Sequence, residues 1–297
     1  MWQPSAPVKA LNIPLPHLNL AAQCWGADDK PLILALHGWL DNSNSFAPLA
    51  EKLMDDYRVL AIDWPGHGLS EHRPGHYPLH WVDYLYDLEL LLDSLTVDEP
   101  VILLGHSLGG IVASAYAAAF PERVAKLLLI EAFAPLYEAV EQVKPRLRKS
   151  FAAHKRTLCS KRRQVVYDSV EPAIRARVQL TGLAEPWSRL LVTRNMQIDA
   201  QGARWRSDPR LRLDSPMRLC FEQVASLMQG IAIPSLLITG EQGFPGLVQS
   251  LPQARVWYSD LQIVQLQGDH HLHMGNASEV AQTLAGFLHG RKSNPGD

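Results

Sequence analysis

Gly105-His106-Ser107-Leu108-Gly109 is the stretch that decides how this chain folds. It follows an apolar run, Val101 to Leu104, with the composition of a buried strand. It precedes Gly110 to Phe120, an Ala-rich stretch that reads as a helix ended by Pro121. Between strand and helix, a Gly-x-Ser-x-Gly sequence predicts a sharp, strained turn that lifts the serine oxygen clear of a sheet. Side chains at the two glycines would collide where strand and helix cross. The helix N-terminus then directs free N–H groups at the serine.

Further apolar runs lie on both sides of this turn: Leu32–Leu36, Arg58–Ile62, Lys126–Ile130, Ser235–Thr239 and Gln262–Leu266. Helical patterns separate them, at Phe46–Leu53, Trp81–Leu95 and Glu279–Leu288. Buried strands alternating with helices predict an α/β fold, a mostly parallel sheet covered on both faces. The opening region, Val8–Ile13 and Leu18–Trp25, is expected to add an antiparallel edge pair. Ligands of open parallel sheets bind beyond the carboxyl ends of the strands. His37, Asp63, Ser107, Glu131 and His270 all fall at such ends.

The alternation breaks between residues 135 and 230. This stretch holds 18 Lys/Arg against 9 Asp/Glu, a net of +9, whereas the whole chain of 297 residues carries −2. Its length and its helical character, interrupted by Pro172, Pro186, Pro209 and Pro216, predict an inserted helical cap over the strand ends, with 1–134 and 231–297 forming the core. Arg148, Lys149, Arg162 and Arg163 are either a solvated face or a means of drawing anionic substrates to the site.

Composition excludes several classes. The near-neutral charge offers nothing to nucleic acid. No apolar run reaches the ~18 residues of a membrane span, and the N-terminal residues lack the pattern of a signal peptide. The three cysteines, Cys24, Cys159 and Cys220, have no metal or redox spacing, so a reducing, cytoplasmic setting is expected. His270-His271-Leu272-His273 could be read as a metal cluster, but no carboxylate or cysteine joins it at metal-ligand spacing. Neither a metal nor an organic cofactor is expected.

Together these residues resemble the α/β-hydrolase superfamily over nearly the whole chain. His37-Gly38-Trp39 is similar to its oxyanion loop, Asp63-Trp64-Pro65-Gly66-His67-Gly68-Leu69-Ser70 to its turn after the next strand, Gly105–Gly109 to its nucleophile turn and Gly268–Met274 to its catalytic-histidine loop. His37-Gly38-Trp39-Leu40-Asp41-Asn42 and the His270–His273 spacing resemble the serine hydrolase-like branch. Glu131-Ala132-Phe133-Ala134-Pro135 is similar to haloalkane dehalogenases that carry their acid after the sixth strand, but those use an aspartate nucleophile where this chain has Ser107.

The resemblance implies a nucleophile at Ser107, a base at His270 and backbone donors at Trp39 and Leu108 for the oxyanion. The family's usual Gly-x-x-Asp is Gly240-Glu241-Gln242-Gly243 here, with Gly243 in place of the acid. Glu131 is therefore assigned as the acid, with Glu241 the alternative; the order Ser107, Glu131, His270 matches the superfamily. Trp39, His106 and Trp64 are expected to line the substrate pocket. His37 is expected to hold the oxyanion loop, and Asp63 to bond within its own turn. The expected activity is hydrolysis of a small or medium carboxylic ester through an acyl-enzyme. Thioester, lactone or carbon–carbon hydrolysis on the same triad is the alternative, and a binding protein that has lost turnover is a further one.

Overall fold

The structure, a computed structural model, describes residues 8–95, 99–160 and 165–290. Arg162 and Arg163 lie outside the described residues. Eight strands form one sheet: β1 (Lys9–Leu15), β2 (Leu18–Trp25), β3 (Leu32–Leu36), β4 (Arg58–Ile62), β5 (Val101–His106), β6 (Val124–Ile130), β9 (Ser235–Gln242) and β10 (Leu261–Asp269). Their order is β1-β2-β4-β3-β5-β6-β9-β10. The hairpin β1–β2 joins the edge of β4 antiparallel, and every later pairing is parallel. The predicted strands and the antiparallel edge pair are thus all present.

Residues along each central strand alternate between two cores. Leu34, Leu36, Leu103, Leu127, Leu129 and Leu237 pack on the face covered by α2 (Val82–Ser94), α3 (Leu108–Ala119), α7 (Phe221–Met228) and α8 (Pro245–Trp257). Ile33, Ala35, Leu104, Leu128, Ile130 and Ile238 pack on the other face, beneath α1 (Ala47–Leu53) and α10 (Ala277–Leu288). Burial on both faces explains why these strands read as continuous apolar runs and not as alternating ones.

Between β6 and β9 lie α4 (Val143–Cys159), α5 (Glu171–Thr181), α6 (Glu185–Asn195) and a small hairpin of β7 (Met196–Asp199) and β8 (Gly202–Trp205), followed by a 3-10 turn at Pro209–Arg212. Ala173, Ile174, Val192, Met196 and Ala203 give this region its own apolar cluster. Two features depart from the expected helical insertion of 135–230. It contains the β7–β8 hairpin, and α7 at its end buries Val224 and Met228 in the main core against α3. The separate layer therefore ends before α7. Among the described residues, no helix is long and apolar enough to cross a membrane.

Buried polar contacts tie this layer to the strand ends. The Arg194 guanidinium of α6 meets Asp63 at 2.9 Å, with Asp63 wholly buried. Asn195 accepts from the Gly68 amide at 2.8 Å and donates to the Leu40 carbonyl at 3.2 Å. Asn42 and Asn44 donate to the α6 carbonyls of Leu191 and Leu190 at 2.8 and 3.0 Å. Asp63 also accepts from the amides of Ser43 and Leu69, both at 2.8 Å, so the expected local role is joined by a long-range one to Arg194.

Candidate active site

The close crossing of β5 and α3 explains both glycines around Ser107. A Cβ at Gly109 would stand 1.8 Å from the Leu36 carbonyl oxygen, and one at Gly105 would stand 2.4 Å from that of Gly109. No side-chain movement relieves a backbone clash. Ser107 is held between them at φ 50°, ψ −114°, outside the regions that L-residues favour. Among the described residues, three non-glycine residues have positive φ: Leu40 (60°), Ser107 (50°) and Glu131 (59°). Each follows the carboxyl end of a central strand. Strain of this kind costs of order 1–3 kcal/mol per residue and persists only where the surroundings enforce it.

Glu131 sits one residue past β6. Its amide donates to the Ile238 carbonyl at 3.0 Å, which prolongs the β6–β9 pairing into the turn. Its carboxylate is buried and accepts three hydrogen bonds, from Gly240 N–H at 2.8 Å, Phe244 N–H at 2.6 Å and His270 Nδ1 at 3.0 Å. Burial opposes ionisation here, but the hydrogen bonds from His270 and the two amides outweigh it and hold the carboxyl below its ordinary range. A carboxylate only accepts, so Nδ1 of His270 carries the proton and Nε2 keeps its lone pair. Glu241, the penultimate residue of β9, is exposed and makes no hydrogen bond to His270 among the described residues.

Ser107 and His270 face one cavity of about 810 Å³ at the strand ends. Among the described residues, no hydrogen bond joins their side chains, and the nitrogen of His270 that is bonded is Nδ1, to Glu131. Trp39, Leu40, Asp41, Gly243 and Phe244 line the same cavity from the core, and Tyr167, Ala173, Leu180 and Trp205 from the inserted layer. Leu108 is the first residue of α3, so its N–H has no intrahelical acceptor. The Trp39 amide makes no hydrogen bond to any described residue. The Trp39 indole reaches across to donate to the Leu211 carbonyl at 2.8 Å.

Two of the three residues assigned to the pocket border it. Trp39 is half exposed at the cavity wall, and His106 lies along its floor with its ring buried. Trp64 does not. It is fully buried in the main core, edge-on to Tyr84 at 5.2 Å, with its indole donating to the His37 carbonyl at 3.1 Å. The turn at Asp63–Ser70 directs the indole beneath the sheet end, because Trp64 N–H must reach His37 Nε2 at 2.9 Å. With Nε2 accepting, His37 Nδ1 donates to the Gly38 carbonyl at 2.7 Å, so His37 braces the Gly38–Trp39 loop.

The three histidines of 270–273 diverge to separate partners. His270 turns to Glu131, His271 places Nε2 3.2 Å from Asp41, and His273 packs its ring 4.2 Å from that of His106. Among the described residues, no group of His, Cys, Asp or Glu is placed to hold a metal. His106 Nε2 donates to the His270 backbone carbonyl at 2.8 Å. Burial, with three histidines around it, pushes His106 well below its ordinary value; burial pushes His273 down to about 3.

Asp41 and Arg177 border the cavity, and neither carries a role expected from sequence. Asp41 is 1% exposed and meets Arg177 of α5, His271 of the histidine loop and, at 3.6 Å, His106 of β5. Burial works against its ionisation, but His271 and Arg177 hold it well below the usual carboxylate range. Arg177 also donates to the Leu40 carbonyl at 3.0 Å. One carboxylate thus joins the inserted layer, the loop after Trp39 and the loop carrying His270. The only sequence signal was position: Asp41 lies two residues past Trp39, and His271 next to His270.

Comparison with known proteins agrees with this fold. A model of the alpha/beta hydrolase fold family matches residues 31–277. A serine hydrolase-like protein of Danio rerio is 27% identical over 285 residues, 93% of this chain and 87% of its own length. A probable serine hydrolase of Drosophila melanogaster is 30% identical over 295 residues, 93% of this chain and 86% of its own. The crystal structure of a hypothetical protein from Pseudomonas aeruginosa PAO1 superposes with a TM-score of 0.86 at 33% identity, covering 94% of this chain and 99% of that one.

Proposed function

Since the chain belongs to the α/β-hydrolase superfamily, in its serine hydrolase-like branch, we propose that it hydrolyses a carboxylic ester through Ser107, His270 and Glu131. The observation that carries this reading is the 3.0 Å contact of His270 Nδ1 with the Glu131 carboxylate, made beside the cavity that Ser107 and His270 share.

Ser107 Oγ attacks the acyl carbon while His270 Nε2 takes its proton. The oxyanion forms against the free N–H groups of Leu108 and Trp39. One such donor contributes about 10²–10³ in rate where it has been removed from other hydrolases. Glu131 fixes the Nδ1–H tautomer and stabilises the imidazolium. The tetrahedral adduct collapses, His270 protonates the departing alcohol, and the acyl group remains on Ser107. Water enters, gives its proton to His270 and attacks the acyl carbon. The acid leaves as the proton returns to Ser107 Oγ. The mostly apolar lining suits an acyl chain of small to medium length.

The test is covalent and catalytic. A fluorophosphonate probe should label the native chain and not Ser107→Ala. A panel of acyl esters of increasing length, with thioesters and lactones alongside, should show oxygen esters turned over fastest. Labelling without turnover of any oxygen ester would move the reading to another acyl substrate. Absence of labelling would return the chain to a binding role.

A further inference from the structure

The cavity carries an uncompensated positive charge. Its charged lining residues, apart from histidines, are Asp41, Arg177 and Arg212. Asp41 is engaged by Arg177 and His271. The Arg212 side chain makes no hydrogen bond or ion pair with any described residue. Its guanidinium lies over the Trp205 ring, 5.7 Å from the centroid. Stacking of this kind holds a planar cation in place and leaves its N–H edge free. Arg212 follows Leu211, whose carbonyl receives the Trp39 indole. The cation is therefore tethered to the loop beside Ser107 and does not belong to a remote surface. Arg177 adds a second unfilled donor, a buried Nε with no partner.

We infer that Arg212 is an anion-recognising position of this site and that the natural substrate carries a carboxylate or a similar oxyanion remote from the bond that is cleaved. The inference rests on the ester-hydrolase reading and deepens it. An apolar cavity ending in one free guanidinium fits a chain with a charged far end: the methylenes lie against Trp39, Leu180 and Phe244, and the anion meets Arg212. The carbons beyond the acyl carbon or the leaving alcohol could each supply that anion.

The test pairs substrates that differ only at the remote end. On the acyl side, the 4-nitrophenyl monoesters of glutarate and adipate are compared with 4-nitrophenyl valerate and hexanoate. On the alcohol side, 4-acetoxybenzoate is compared with its methyl ester. The native chain should favour the anion in one arm by roughly tenfold in kcat/KM, mostly through KM, the scale of one charge-assisted hydrogen bond. Salt should narrow that preference. Arg212→Gln should reduce the anionic-over-neutral ratio towards one, and Arg212→Lys should retain part of it. Calorimetric titration of Ser107→Ala with adipate, with and without Arg212→Gln, reads the anion without turnover. Adipate binding that depends on Arg212 supports the site even if every ester fails. No anionic preference in either arm, or one that survives Arg212→Gln, overturns it, as does adipate binding indifferent to Arg212.

Discussion

A Cβ on Gly243 would stand 2.2 Å from Oε1 of Glu131. The glycine at the position where the superfamily usually carries its acid is thus required by the carboxylate that has taken over the space. The two strand ends, β6 and β9, offer one volume beside His270, and only one of them can fill it. Gly243→Ala should push the Glu131 carboxylate off His270 and lower kcat at least tenfold, with the Gly240 and Phe244 amides left unpaired. Unchanged kinetics in Gly243→Ala would show that the pocket around Glu131 yields freely.

Glu131→Gln should lose about 10²- to 10⁴-fold in kcat, as removal of a triad carboxylate does in other serine hydrolases. Glu241→Gln should change kcat little, since Glu241 is exposed. Gly243→Asp in a Glu131→Ala background should recover part of the loss by supplying the carboxylate from the other strand. Steady-state assays of the four proteins on one ester decide the matter. A large loss at Glu241 with Glu131 spared would reverse the assignment.

Ser107→Ala should cut kcat by roughly 10³- to 10⁶-fold and remove fluorophosphonate labelling, because the triad acts as a unit. Its unfolding midpoint should hold, since alanine must adopt the same strained backbone and only one oxygen is removed. Near-native esterase activity in this variant would sink the nucleophile assignment.

His37, His67, His106 and His273 are buried, and burial lowers all four below the ordinary histidine value, His67 and His273 to about 3. In the unfolded chain each binds a proton near pH ~6.5. Their contribution is therefore complete above that pH and is lost as pH falls towards the folded values, each at up to about 1.4 kcal/mol per pH unit. The carboxyls of Glu131 and Asp41 are also held low, but they act only below about pH 4.5, where unfolded carboxyls titrate. Urea unfolding between pH 7.5 and 5 isolates the histidines. His273→Phe, placed beside Phe46, should flatten that slope by one group. An unaltered slope would mean that His273 protonates within the fold.

Arg177→Met leaves Asp41 buried with two histidines, His271 and His106, and no guanidinium, and loss of one partner of a buried pair costs about 3–5 kcal/mol. The same change leaves the Leu40 carbonyl beside Trp39 to Asn195 alone, so kcat should fall by more than KM rises. Arg177→Lys should restore stability better than turnover, because one ammonium cannot reach Leu40 and Asp41 as the forked guanidinium does. Equal rescue of both would reduce Arg177 to a structural contact.

The sequence carried the sheet and the strained turn that holds Ser107 because both are written locally. Five-residue apolar runs mark central strands, and Gly105–Gly109 encodes a backbone crossing that admits no other residues there. Glu131 was legible by subtraction, once Gly243 stood where an acid was expected. Trp64 was misplaced because its motif fixes the turn and not the side of the sheet on which the indole lands. The Asp41–Arg177–His271 contact spans 136 and 230 residues, and no local pattern announces it. The β7–β8 hairpin has four-residue strands, too short for period-two alternation to stand out from an Arg-rich helical background.

The contacts of Arg194 with Asp63, and of Arg177 and Asn195 with Leu40, have a consequence for traffic through the enzyme. They rivet the inserted layer to two neighbouring strand ends with groups that cannot part without stranding a buried charge. Such a layer is a fixed wall and not a door. Substrate and product should then pass through an opening that need not widen, beside Leu180 and Phe244, which line the cavity and are exposed. Size exclusion at that opening, ahead of any chemistry, should then set which molecules arrive at Ser107. The enzyme should work on freely dissolved substrates without the lag or surface activation of hydrolases that must first swing a lid aside.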